Sequence, residues 1–213
     1  MKVALLGATG FVGSALLKEA LGRGHIVTAI VRHPEKLEKL EGLTAKAGDV
    51  YDTDSLAKLI QGNDAIISAF NPGWKNPKLY DDQVRGTASI IPATKKAGIK
   101  RVLWVGGAGG LEVKPGVRVI DSPDLPNWVK PGSLATINAL DQLRKEPELE
   151  WSHLSPSAEL TPGQRTGNVR LGSDQLLVDA TGKSEISVQD YAVAMINELE
   201  RPAHVRRRFT VGY

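Results

Sequence analysis

The stretch VALLGATGFVG, residues 3–13, decides how the rest of the chain is read. Val3 to Leu6 read as a buried strand, and Phe11, Val12, Ala15, Leu16 and Leu21 recur at helical spacing over 11–22. Between them stand Gly7, Gly10 and Gly13 in a G-x-x-G-x-x-G spacing. Gly7 permits a tight turn out of the strand. Gly10 removes a Cβ where a pyrophosphate must approach the helix N-terminus, and Gly13 lets the helix pack on the strand. Thr9, Phe11 and Val12 complete the loop that meets the phosphates. A glycine trio alone is weak, but a strand before it and a helix after it supply the confirming context. The stretch predicts a dinucleotide site.

The second strand, IVTAIV at 26–31, bears on which dinucleotide. An NAD site carries Asp or Glu about 20 residues past the glycines, on the ribose hydroxyls. Here Val31-Arg32-His33 stands instead. A guanidinium pairs with a 2′-phosphate that a carboxylate would repel, so Arg32 predicts NADPH in preference to NADH. Its plainer reading is a strand flank. Gly48-Asp49-Val50 closes the third strand, where Asp49 could accept from the adenine amine or cap the next helix. Ser68-Ala69-Phe70-Asn71-Pro72 closes the fourth, on the expected path of the ribose and nicotinamide, with Asn71 a candidate for orienting substrate.

Outward from this unit, strands and helices alternate. Helices are expected over 35–40, 53–61 (capped by Asp52 or Thr53), 79–97, 131–145 and 187–199, with strands at 64–70, 100–107, 149–154 and the C-terminus. The order predicts one doubly wound, mostly parallel α/β sheet over 1–213, a Rossmann fold, with right-handed crossovers. Two Gly-, Pro- and Ser-rich segments, 108–130 and 155–185, follow strands and so leave from the carboxyl edge, where such folds bind ligands. They are expected to form a small substrate lobe, with Trp128, Leu125 and Leu160 as apolar walls.

Composition narrows the class. With 41% hydrophobic and 24% charged residues the chain can bury a full core. A net charge of +3 is too small for a polybasic surface, and Arg206-Arg207-Arg208 reads as the solvated flank of a terminal strand, so no nucleic-acid partner is expected. Cysteine is absent, which excludes disulfides and thiolate sites. The first apolar run ends at Gly7, too short for a signal, and nothing approaches the ~18 apolar residues of a membrane span. A cytoplasmic protein is expected. His25, His33, His153 and His204 lack metal-ligand spacing.

GATGFVG, Arg32, GDV at 48–50 and VGGAGGLEV at 105–113 together resemble the atypical short-chain dehydrogenase/reductase superfamily. WSHLSP at 151–156, PGQRTG at 162–167, ISVQDYAVAMINELE at 186–200 and RRFTVGY at 207–213 are similar to its NADH-flavin reductase family, also called NAD(P)H-binding or NmrA-like. The resemblance runs nearly end to end.

The superfamily's usual catalytic pair is a Tyr with a Lys four residues on. Tyr51, Tyr80 and Tyr191 have Ser55, Val84 and Met195 there, and Tyr213 ends the chain. Gly106 and Gly107 stand where a serine often follows the fifth strand. Without that relay, epimerisation or alcohol oxidation loses its acid–base machinery. Hydride transfer to a flavin or quinone needs only a flat ring held against the nicotinamide, and the glycines at 106–110 read as room for it. His153 could donate a proton or be a satisfied rim histidine; Arg165 could clamp an anion or lock its own loop. The expectation is an NADPH-dependent reductase acting on a small flat acceptor, with flavin a passing substrate and no catalytic side chain identified. The alternative is a non-catalytic NADP(H) sensor of NmrA type.

Overall fold

A computed structural model describes residues 1–213. Its strands are β1 Lys2–Leu6, β2 Ile26–Val31, β3 Leu43–Ala47, β4 Ala65–Ser68, β5 Arg101–Val105, β6 Glu112–Lys114, β7 Val117–Arg118, β8 Glu150–Ser155, β9 Glu159–Thr161, β10 Arg170–Gly172, β11 Glu185–Ser187 and β12 Arg207–Gly212. The helices are α1 Phe11–Gly22, α2 Thr53–Ile60, α3 Leu79–Lys96, α4 Lys130–Arg144 and α5 Val188–Glu200. The main sheet runs β3-β2-β1-β4-β5-β8-β12-β10, parallel throughout except for antiparallel β10. The order reverses between β1 and β4, which opens the crevice at which doubly wound folds bind ligands.

Both faces of the sheet are covered, so its strands are apolar on both sides. Val3 and Leu5 face the layer of α1 and α5, while Ala4 and Leu6 face the layer of α2, α3 and α4. Local chemistry sets the helix starts. Asp52 caps α2 by accepting from the Ser55 N–H at 3.0 Å, and Ser187 caps α5 by accepting from that of Asp190 at 3.0 Å. Each such cap contributes about 1 kcal/mol. No helix is long and apolar enough to cross a membrane.

The expected helix at 35–40 is only a 3-10 turn, Pro34–Lys36. Leu40 is exposed and Leu37 alone touches the core, so no apolar face repays helix nucleation. The terminal strand is not an outer edge, since β12 inserts between β8 and β10 and buries Phe209, Thr210 and Val211. Arg208 is correspondingly no solvated flank: its side chain is mostly buried, bonding Asp174 and, at 2.7 Å, the Gly110 carbonyl. The segments 108–130 and 155–185 contain the hairpin β6–β7, the strands β9 and β10, and 3-10 turns at Ala108–Gly110 and Val119–Asp121. β9 pairs in parallel with β11.

Candidate functional site

The glycine loop is built as its spacing implies. Gly7 has φ +79, and a Cβ there would lie 2.4 Å from the Ala69 carbonyl oxygen, so β1 and β4 end in backbone contact. A Cβ on Gly13 would stand 2.0 Å from the Gly7 carbonyl oxygen. At Gly10 it would meet only that same oxygen, at 3.3 Å, and otherwise open space. Gly10 is the N-cap of α1, with no side-chain cap and no acidic residue in the first turn. The helix therefore presents bare N–H groups and the positive end of its dipole beside exposed Thr9 and half-exposed Phe11. Val12 packs inward on the α1/α5 layer. This cradle fits a pyrophosphate.

Around it stand the other expected residues. Arg32 is exposed just beyond β2 and forms neither a salt bridge nor a side-chain hydrogen bond. Asp49 does not cap α2, since Asp52 does; its Oδ1 accepts from the Tyr51 N–H at 2.9 Å, closing an Asx turn. Val50 packs against the α2/α3/α4 layer. The Phe70 ring fills the place of a Cβ at Gly86 and meets Tyr51 edge-on, centroids 5.8 Å apart. Asn71 Oδ1 accepts from the Gly73 N–H at 2.7 Å.

The glycines after β5 do not leave open room. A Cβ at Gly106 would lie 2.2 Å from the His153 ring, at Gly107 2.6 Å from Thr136 Oγ1, and at Gly109 2.5 Å from Ser133 Cβ. They bring this strand end against β8 and α4, and any flat ring must lie outside them. The apolar wall also divides. Leu160 packs with the α1/α5 layer, whereas Trp128 is exposed and meets Trp74, a residue the sequence reading passed over.

His153 is buried, but it is not satisfied: neither ring nitrogen has a hydrogen-bond partner. Burial, then the charges of Arg208 and Arg144, push it down to about 3, so the imidazole is neutral. The sequence held a signal for this. β8 is an interior parallel strand, and a side chain on either face of such a strand is covered. Of the tyrosines, Tyr191 is buried and donates to the Leu154 carbonyl at 2.8 Å, Tyr213 donates to Asp190 at 2.7 Å, and Tyr51 lies beneath the Arg85 guanidinium at 3.7 Å.

Arg165 locks its loop. It grips Glu19 of α1 at 2.7 and 2.8 Å, and Arg165, with Arg23 behind it, holds the Glu19 carboxyl below its usual value against the effect of burial. Asp190 anchors the same loop, accepting from the N–H groups of Thr166 and Gly167 and from the hydroxyls of Thr166 and Tyr213. Burial works against the Asp190 carboxylate, but these bonds outweigh it and lower its pKa. A cleft of about 490 Å³ remains between this loop and α1, lined by Phe11, Ser14, Lys18, Pro162 and Arg165.

Residues 7–202 match a family model described as NAD(P)H-binding. A solved structure from Bacteroides thetaiotaomicron, provisionally named an epimerase, is 50% identical with a TM-score of 0.93, covering 100% of this chain and 96% of that one. Another from Streptococcus pneumoniae, provisionally named an NADH-flavin reductase, is 33% identical with a TM-score of 0.84, covering 100% and 99%. The Bacillus subtilis protein YwnB is 38% identical over 214 residues, 99% of this chain and 98% of that one.

Proposed function

For a chain that belongs to the NAD(P)H-binding family, an oxidoreductase of the atypical short-chain dehydrogenase/reductase group, we propose an NADPH-dependent reductase whose acceptor is a flavin, quinone or similar flat ring. The observation that carries the reading is the bare N-terminus of α1 with unpaired Arg32 at the neighbouring strand end. The α1 N–H groups at Gly10 to Gly13 would hold the pyrophosphate, and the Arg32 guanidinium would pair with the 2′-phosphate. Asp49 and Val50 border the adenine. Ala69, Phe70 and Asn71 line the ribose and nicotinamide path, and Gly106 and Gly107 close the site beneath the nicotinamide.

When bound, NADPH supplies one hydride, and with one proton from water the flavin becomes dihydroflavin while NADP⁺ is left. The chain's part is to align two flat rings and exclude competing geometry, which needs no acid–base relay. That separates this reading from epimerisation. Tyr213 and Tyr191 are tied to Asp190 and to the Leu154 carbonyl, and no tyrosine has a lysine at the relay spacing.

The test is loss of reduced-nicotinamide absorbance with protein, NADPH and FMN against a control without protein. Saturable loss far above the control is expected. NADPH binding without turnover on FMN or menadione would replace the reductase with a sensor of NmrA type.

A further inference from the structure

Trp74 and Trp128 are 55% and 68% exposed, whereas Trp104 and Trp151 are buried. The exposed pair comes from two separate segments, the β4–α3 loop and the approach to α4. Their rings meet edge-to-face, centroids 5.9 Å apart at 80°. Such a pair leaves the outer faces of both indoles free.

The position of Trp74 is built. A Cβ on Gly132, in the first turn of α4, would lie 2.5 and 2.6 Å from its ring carbons Cζ3 and Cη2. Glycine is a poor helix residue compared with alanine, and the indole seated on bare backbone explains it here. Thr136, four residues on and on the same face of α4, covers Gly107. Gly132, which seats Trp74, therefore stands about 6 Å along α4 from the residue that covers Gly107, and directly beside Ser133, which covers Gly109. The Trp74 ring thus borders the glycine turn that follows β5, three residues beyond Asn71 on the β4 side. Lys75, next to Trp74 in sequence, and Lys130, two residues after Trp128, form no salt bridge. An apolar patch of two rings is small for a stable subunit interface and suits a single flat ligand.

We propose that Trp74 and Trp128 form the stacking platform for the acceptor, an aromatic ring of the isoalloxazine or quinone class, and so set its specificity. The inference rests on the reductase reading, and its test separates the two. FMN is titrated into the full chain with NADP⁺ present, reading quenching of flavin fluorescence. The steady-state KM for FMN is measured in parallel for the wild type, Trp74→Leu, Trp128→Leu, the double variant and Gly132→Ala.

The wild type should quench and the double variant should not. The double variant should raise the KM for FMN roughly tenfold or more, as expected for a lost stacking contact, with the KM for NADPH held within about twofold. Gly132→Ala, which keeps both indoles but unseats Trp74, should raise the KM for FMN as well. Unchanged quenching and KM in folded variants would overturn the platform and leave the reductase standing. Quenching lost in the variants, without NADPH oxidation by any form, would keep the platform and remove the reductase. A folded wild type that neither binds nor reduces FMN or menadione would overturn the platform. So would a wild-type dimer that the double variant dissolves, because the occupant would then be a second copy.

Discussion

The carbonyl oxygen of Gly7 occupies the place where Gly13 would carry a side chain, 2.0 Å from the missing Cβ. The turn out of β1 and the first turn of α1 are thus in backbone contact, and the shape of the loop depends on that contact. Gly13→Ala should unfold in urea at lower concentration, by about 1–3 kcal/mol of overpacking, and lose NADPH affinity with it. Gly10→Ala sets its methyl against the Gly7 oxygen alone, at 3.3 Å, so it should lose less stability than Gly13→Ala yet bind NADPH weakly. Equal stability losses at the two positions would contradict the separate roles.

Arg32 should discriminate between cofactors. Its replacement by Ala removes a charge-assisted pair to the 2′-phosphate, which corresponds to roughly 1.5–3 kcal/mol, or about ten- to a hundredfold in NADPH affinity. NADH affinity should barely move. Titration of both nucleotides into both proteins checks this, and parallel losses would contradict it.

The loop at 162–167 should open when its anchor is lost. Asp190→Asn removes the charged acceptor of four hydrogen bonds. It should cost about 1–3 kcal/mol and speed tryptic cleavage after Arg165, while the wild type resists. The Asp190 pKa is lowered on folding, so its contribution is present above the ordinary carboxylate range and fades as the pH falls through the folded value.

His153 should make the fold acid-sensitive well above the carboxylate range. Folding depresses its pKa from 6.5 to about 3, so the unfolded chain takes up a proton that the folded chain refuses. Stability is unaffected by this group above pH 6.5 and declines below it, by at most about 1.4 kcal/mol per pH unit, until the folded value is reached. Urea unfolding at neutral pH and at about pH 5 should differ by roughly 2 kcal/mol from this source. A folded His153→Phe variant should lose that difference.

What the sequence made legible is local. The close backbone approach of the glycines, the apolar runs of β1, β2 and β4, and the cap expected at Asp52 or Thr53, which falls on Asp52, each depend on neighbours within one turn or one strand. The short strands of 108–130 and 155–185 were hidden, because pieces of two or three residues carry no period. Arg165 and Glu19 lie 146 residues apart, and helical spacing reveals only which face Glu19 shares. The glycines after β5 mark close approach, but the sequence does not say whether a ligand or a helix approaches. Here Ser133, Thr136 and His153 do.

The central claim is hydride transfer from a nicotinamide held in one orientation. The most direct measurement uses NADPH deuterated at C4 on one face or the other, with FMN as acceptor under anaerobic conditions, followed by mass analysis of the NADP⁺ formed. The account predicts that one stereoisomer yields fully deuterated NADP⁺ and the other yields NADP⁺ without label. Loss of label from both faces alike, at the rate seen without protein, would contradict it.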